Sequence, residues 1–86
     1  MKSDAMEFLE AVIGGPLTFG ALLRSIRLSE KTSLKTFAIK LGVSPQTLSL
    51  IEQNRHQVGA EQAAEWAAIL GYRSTQFVEL ALRSVP

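Results

Sequence analysis

The sequence predicts an all-α fold, five short helices forming one domain with an additional N-terminal helix ahead of them. Three observations carry this. Apolar residues recur at i, i+3, i+4 and i+7 in successive stretches, the spacing that lines one face of an amphipathic helix. Ser, Thr, Asp or Gly stands ahead of each stretch, and glycine or asparagine closes most of them, which are helix start and stop signals. The chain of 86 residues has room for a single core, so the helices must share it.

Residues 1–16 are read as the N-terminal helix and its break, and residues 17–86 as the domain proper, with a C-terminal helix for dimerisation. Asp4 can cap the first helix with Glu7 reaching back from three residues on, and Met6, Leu9 and Ile13 begin a broad apolar face. Gly14-Gly15-Pro16 ends it. That face has two readings, packing on the domain or serving a partner or second subunit. Thr18 caps the next helix, where Phe19, Leu22, Leu23 and Ile26 share a face. Ser33 caps the following one, with Leu34, Phe37, Ala38 and Leu41 inward and Gly42 as its stop. Ser44 is then an N-cap and Pro45 takes the first helical position, where its missing N–H costs nothing.

In the helix that starts at Pro45, Leu48 and Ile51 form a narrow inner face, while Gln46, Thr47, Ser49 and Gln53 point outward. Two crossed helices with one polar outer face make a helix-turn-helix, whose second helix is presented to the DNA major groove. Asn54 fits the end of this helix because Asn tolerates a left-handed backbone. Gly59, with Gln62 three residues on, starts a helix made slim by Ala60, Ala63, Ala64, Ala67 and Ala68, with Trp66, Ile69 and Leu70 as its bulk and Gly71 as its stop. Trp66 at this spacing is read as core filling. Ser74 caps the last helix, which has two apolar strips. Phe77, Leu80 and Ala81 can finish the core; Val78, Leu82 and Val85 would then stay exposed and are read as a homodimer interface.

Cysteine is absent and there is one histidine, which leaves no disulfide framework, no thiolate chemistry and no metal cage; no cofactor or metal is expected. Neither a phosphate-cradling glycine loop nor paired histidines occur, so an enzyme is not expected. No apolar run approaches the ~20 residues of a membrane span and the N-terminal stretch is too acidic for a signal peptide, so the expectation is a cytoplasmic protein with no membrane partner. The formal net charge is only +1, but it is unevenly spread. Residues 18–57 hold Arg24, Arg27, Lys31, Lys35, Lys40 and Arg55 against Glu30 and Glu52, an excess of four positive charges, while both ends are acidic. Positive charge gathers around the helix pair, as phosphate contact requires.

Ser33, Phe37-Ala38, Gly42-Val43-Ser44, Leu48-Ser49 and Ile51-Glu52, with Arg27 six residues before the serine, occur in an ordered set at fixed spacing. In this the chain resembles the Xre/Cro family of phage and bacterial repressors, over roughly residues 18–82. The resemblance implies a lambda-repressor-like helix-turn-helix domain acting as a DNA-binding transcriptional regulator, a repressor bound to double-stranded DNA as a homodimer. It also implies an ion pair between Arg27 and Glu52 that ties the first core helix to the end of the recognition helix.

For base reading the candidates are Gln46, which can take adenine N6 and N7, Thr47, and Leu50, which can meet a thymine methyl. Arg24, Lys35, Lys40, Ser44, Ser49, Arg55 and His56 are the candidates for phosphate contact. For His56 a solvated surface role is the competing reading. Leu34 and Leu50 stand where the family often has polar residues, and leucine at position 34 keeps only its backbone amide for a phosphate. A second reading, from a different functional class, is an antitoxin-like interaction module that holds a partner protein such as a toxin and also binds its own operator.

Overall fold

The structure, a computed structural model, describes residues 18–83. Those residues form α1 (Phe19–Ser29), α2 (Leu34–Leu41), α3 (Pro45–Glu52), α4 (Ala60–Leu70) and α5 (Ser74–Arg83), with no strand among them. The helix expected at residues 4–13, the Gly14-Gly15-Pro16 break, the boundary at residue 16 and Val85 of the dimer strip lie outside the described residues.

Local chemistry explains where the helices start. Thr18 Oγ1 accepts the Ala21 N–H at 3.2 Å and caps α1. The next two helices share one device. Ser33 Oγ accepts the Thr36 N–H at 3.1 Å and donates to Thr36 Oγ1 at 3.0 Å; Ser44 Oγ does the same with Thr47, at 3.1 and 2.9 Å. Each serine satisfies one of the N–H groups that a helix start leaves without an intrahelical partner. Gly59 caps α4 by backbone conformation alone, without a side-chain bond, so Gln62 has no capping partner there. At α5 the expectation was one residue late: Ser74 already belongs to the helix, because the Arg73 carbonyl accepts the Phe77 N–H at 3.4 Å.

The helix ends are equally uniform. The first four helices close with an N–H bonded to the carbonyl five residues back: Thr32 to Arg27, Val43 to Ala38, Arg55 to Leu50 and Tyr72 to Ala67, at 2.8 to 3.1 Å. This closure needs one residue with positive φ. Gly42 and Gly71 supply it at φ 77° and 82°, but Lys31 and Asn54 do so at 54° and 60°. The end of α1 thus has no glycine to announce it, and the sequence reading did not find it.

Inside, Trp66, Phe37, Phe77, Leu23, Leu48 and Leu80 are the largest fully buried side chains. Trp66 fills the core as expected, with the Phe19 ring stacked on it at 6.2 Å and Phe19 meeting Phe77 edge-on at 5.7 Å. Such aromatic geometry adds to the area buried. α4 and α5 pack most extensively against each other, α1 rests on α3 and α5, and α2 on α3 and α4. Two residues depart from expectation. Ile69 is exposed, because it lies one turn beyond Trp66 on the flank away from Ala63, Ala67 and Leu70. Val58, a lone apolar residue in the α3–α4 loop, is buried and pins that loop to the core.

Candidate nucleic-acid interface

α3 is the element to be explained, since its two sides have different surroundings. Leu48 and Ile51 are buried, whereas Gln46 and Leu50 are exposed and Pro45, Thr47 and Ser49 are half-buried. The inner side is fastened at three points. Val43, in the turn from α2, packs against the core. Near its other end, Arg27 Nε–H donates to Glu52 Oε2 at 2.9 Å and Nη2–H to Oε1 at 3.0 Å, the paired geometry that suits a guanidinium and a carboxylate. A third donor, Nη1, reaches the Thr32 carbonyl at 3.4 Å, so Arg27 joins α1, the α1–α2 turn and α3. The two side chains are 15% and 6% exposed.

Those hydrogen bonds with Glu52 are the main reason the Arg27 pKa is raised above its ordinary value; burial opposes the shift and the charge of Glu52 assists it. A base whose folded pKa is raised contributes stability that is complete below its ordinary range and is lost only as pH rises through the raised value. At neutral pH this pair is fully charged on the arginine side.

The third fastening was not legible in the sequence. Asn54 Oδ1 accepts the Gly20 N–H at 3.2 Å, so the residue that closes α3 also satisfies the start of α1. Gly20 itself lies against the end of α3. A Cβ there would stand 2.7 Å from Asn54 Oδ1 and 2.8 Å from the Glu52 carbonyl oxygen, and closer still to the Ile51 carbonyl oxygen. The positive end of the α1 dipole thereby faces the negative end of α3, a favourable arrangement. A glycine in the first turn of a helix is the one signal that could have pointed to this close approach.

The outer side is open. Leu34, Pro45, Gln46, Ser49 and Leu50 line a shallow concavity of about 420 Å³ between the start of α2 and the exposed face of α3. Among the candidate base readers, Gln46 and Leu50 share this surface, while the Thr47 hydroxyl accepts from Ser44 in the cap. Ser49 Oγ accepts from Gln53 Nε2 at 2.9 Å, one turn on.

Of the candidate phosphate contacts, Arg24, Lys35, Lys40, Ser44, Arg55 and His56 are exposed and Ser49 is half-buried. Arg24 follows Gly20 by one turn and precedes Arg27, which puts it on the flank of α1 that meets α3. Lys40 is placed differently. Its Nζ pairs with Glu30 Oε1 at 3.5 Å, and it lies about 140° around α2 from Lys35. To meet a phosphate its ammonium must leave Glu30. His56 borders a small cleft with Phe19, Gly20, Val58 and Ala81. No group of three or more His, Cys, Asp or Glu that could hold a metal ion occurs among the described residues. None of the described helices is long and apolar enough to cross a membrane.

Two short helices joined by Gly42-Val43-Ser44, the second with its inner side fastened and its outer side free, define a helix-turn-helix. The helix-turn-helix family profile matches residues 23–77, more than half of the chain. The chain belongs to the Xre/Cro-type helix-turn-helix family. Among solved structures it is similar to the clp gene regulator ClgR from C. glutamicum, at 32% identity and a TM-score of 0.61, over 79% of this chain and 87% of that one. No curated protein matches it significantly in sequence. Membership makes the chain a DNA-binding domain of the transcription-regulator kind, a family that is generally not enzymatic.

Proposed function

We propose that the chain is a transcriptional repressor that binds its operator as a homodimer, with α3 in the major groove. Gln46 reads a base edge there, Thr47 and Leu50 stand beside it, and Arg24, Lys35, Lys40, Ser44, Ser49, Arg55 and His56 meet the phosphates. The observation that carries this is the division of α3: its only acid, Glu52, is turned inward onto Arg27, while Gln46 stands exposed on the outer face. A groove of negative potential is thus met by a face that carries no acid and by the basic side chains around it. Phosphate contacts fix position and base contacts specify.

The homodimer rests on α5. Phe77, Leu80 and Ala81 are buried; on the neighbouring strip Val78 packs at the edge of the core and Leu82 is 61% exposed. Covering Leu82 with its counterpart in a second copy removes that apolar surface from water, and a two-fold dimer sets two recognition helices one DNA turn apart.

Selection of bound fragments from random DNA tests the reading in one experiment. A palindromic site with half-sites ~10 base pairs apart is expected. On that site Gln46→Ala should cost ~1 to 3 kcal/mol and relax preference at one base pair, whereas Arg55→Ala should weaken all sequences alike and reduce the salt dependence. Recovery of no preferred sequence would refute the assignment of α3. Light scattering after size exclusion addresses the dimer separately, and Leu82→Asp should convert it to a monomer.

A further inference from the structure

Arg55, His56 and Gln57 form the exposed tip of the loop between α3 and α4, and the residues on both sides of that tip are fixed. After it, Val58 is buried in the core. Before it, Asn54 makes two ties at once. Its backbone, at φ 60°, turns the chain so that the Arg55 N–H reaches the Leu50 carbonyl at 2.8 Å. Its side chain accepts the Gly20 N–H at 3.2 Å, from a helix 34 positions away. Phe19 and Gly20 also line a small cleft with Asn54, His56 and Val58. The loop tip is therefore held at both ends against the first turn of α1, and both residues of that turn are buried.

The two ties of Asn54 have separate purposes. Closing a helix at positive φ needs no side chain, since Gly42 and Gly71 do it for α2 and α4. Glycine at position 54 would close α3 as well, while leaving the backbone that follows freer to rotate. What asparagine adds is the oxygen bonded to Gly20, which fixes the direction in which the chain leaves α3. Arg55 is the first residue to depend on that direction. A long side chain already loses rotamer freedom when it meets a phosphate, and a backbone that must be ordered at the same time adds to the cost of binding.

We propose that Asn54 is a positioning residue for DNA binding, whose side-chain bond to the Gly20 N–H holds Arg55 aimed at the phosphate backbone. This rests on the phosphate contact assigned to Arg55. Asn54 acts through that arginine, and the first turn of α1 becomes part of the DNA-binding apparatus as the support that both ends of the loop tip share.

Binding of the full chain to a duplex of random sequence reads phosphate contact without base recognition, and a double-mutant cycle measured on it separates positioning from stability. Asn54→Gly should lower affinity about five-fold per bound chain, within the cost of ordering one long side chain on binding. Arg55→Ala should lower it by a similar factor, and each variant should reduce the slope of affinity against salt by about one. The double variant should bind no more weakly than either single one. Asn54→Asp keeps an acceptor for the Gly20 N–H, so Arg55→Ala made in that background should again cost about five-fold, whatever the added charge does to affinity as a whole. Circular dichroism at the assay temperature checks that each variant is folded. Arg55→Ala that costs as much in Asn54→Gly as in wild type overturns the proposal, and so does an Asn54→Gly protein with the wild-type salt slope. Arg55→Ala without effect in wild type removes the phosphate contact and the positioning role together. Gln46→Ala that leaves the preference for the selected site unchanged would count against base reading by α3 alone, because the cycle needs no preferred sequence.

Discussion

The inner and outer sides of α3 obey different rules, although they belong to one eight-residue helix. On the inner side shape and charge are matched: Leu48 and Ile51 are buried, Glu52 is held by Arg27, and the helix end is closed by Asn54, whose side chain also serves Gly20. Along the outer side almost nothing is matched, and the surface offers Gln46, Leu50 and a shallow apolar concavity to solvent. A recognition helix must be rigid to place its side chains and yet bind nothing of its own. The division lets the frame supply rigidity while the exposed positions stay free to vary with the sequence read. Substitutions on the two sides should therefore separate stability from DNA binding.

The largest effect is expected at the ion pair. Arg27→Ala leaves the Glu52 carboxylate 6% exposed with no guanidinium against it, at a cost of about 3 kcal/mol in denaturant unfolding. Replacing both partners, Arg27→Met with Glu52→Leu, should recover most of that loss, because no charge is then stranded. A single variant that unfolds at the same denaturant concentration as wild type would show that the pair does not hold α3 to α1.

Next comes the close approach at Gly20. Alanine usually strengthens a helix relative to glycine, but here the added methyl meets the backbone of α3, which cannot swing away as a side chain could. Gly20→Ala should lower stability by about 2 kcal/mol, against the sign that helix propensity gives. A thermal melt that rises instead would mean the two helices can separate at no cost.

The starts of α1, α2 and α3 were legible in the sequence because their causes are local. Thr18, Ser33 and Ser44-Pro45 act on N–H groups within three residues, and Gly42 and Gly71 take a backbone conformation that glycine permits. Periodicity likewise gave the buried faces of α1, α2 and α3. What escaped depends on contacts between distant residues. Gly20 and Asn54 are 34 positions apart, and neither spacing nor composition links them. Val58 belongs to no periodic pattern, and Lys31 holds a left-handed position that its side chain gives no reason to expect. The pairing of Arg27 with Glu52 entered through family resemblance rather than spacing. For the reading face, polarity picked out Gln46 and Thr47, but only the fold shows Leu34, Pro45 and Leu50 lining one concavity.

Lys31 and Asn54 allow a comparison within the frame itself, since both close a helix with positive φ. Lys31→Gly should stabilise by up to about 1 kcal/mol, by relieving the strain of a side chain in the left-handed region. Asn54→Gly relieves the same strain but removes the acceptor from the Gly20 N–H, and the loss of a partly buried bond, about 1 kcal/mol, offsets the gain. Equal stabilisation by both glycines would show that the Asn54 side chain contributes nothing to holding α3 on α1.

The smallest effect on stability, and the sharpest separation of the two sides, is expected on the outer face. Gln46 is exposed with no partner to lose, and Leu50 retains enough exposure that truncating it uncovers little core. Alanine is also the best helix former. Gln46→Ala and Leu50→Ala should each therefore leave unfolding free energy within about 0.5 kcal/mol of wild type. The same proteins should lose sequence preference on the selected DNA fragment, in a measurement made at fixed salt because phosphate contact sets the baseline. A variant that melts earlier by more than about 1 kcal/mol would place that residue in the frame, and the independence of the two sides of α3 would fail at that position.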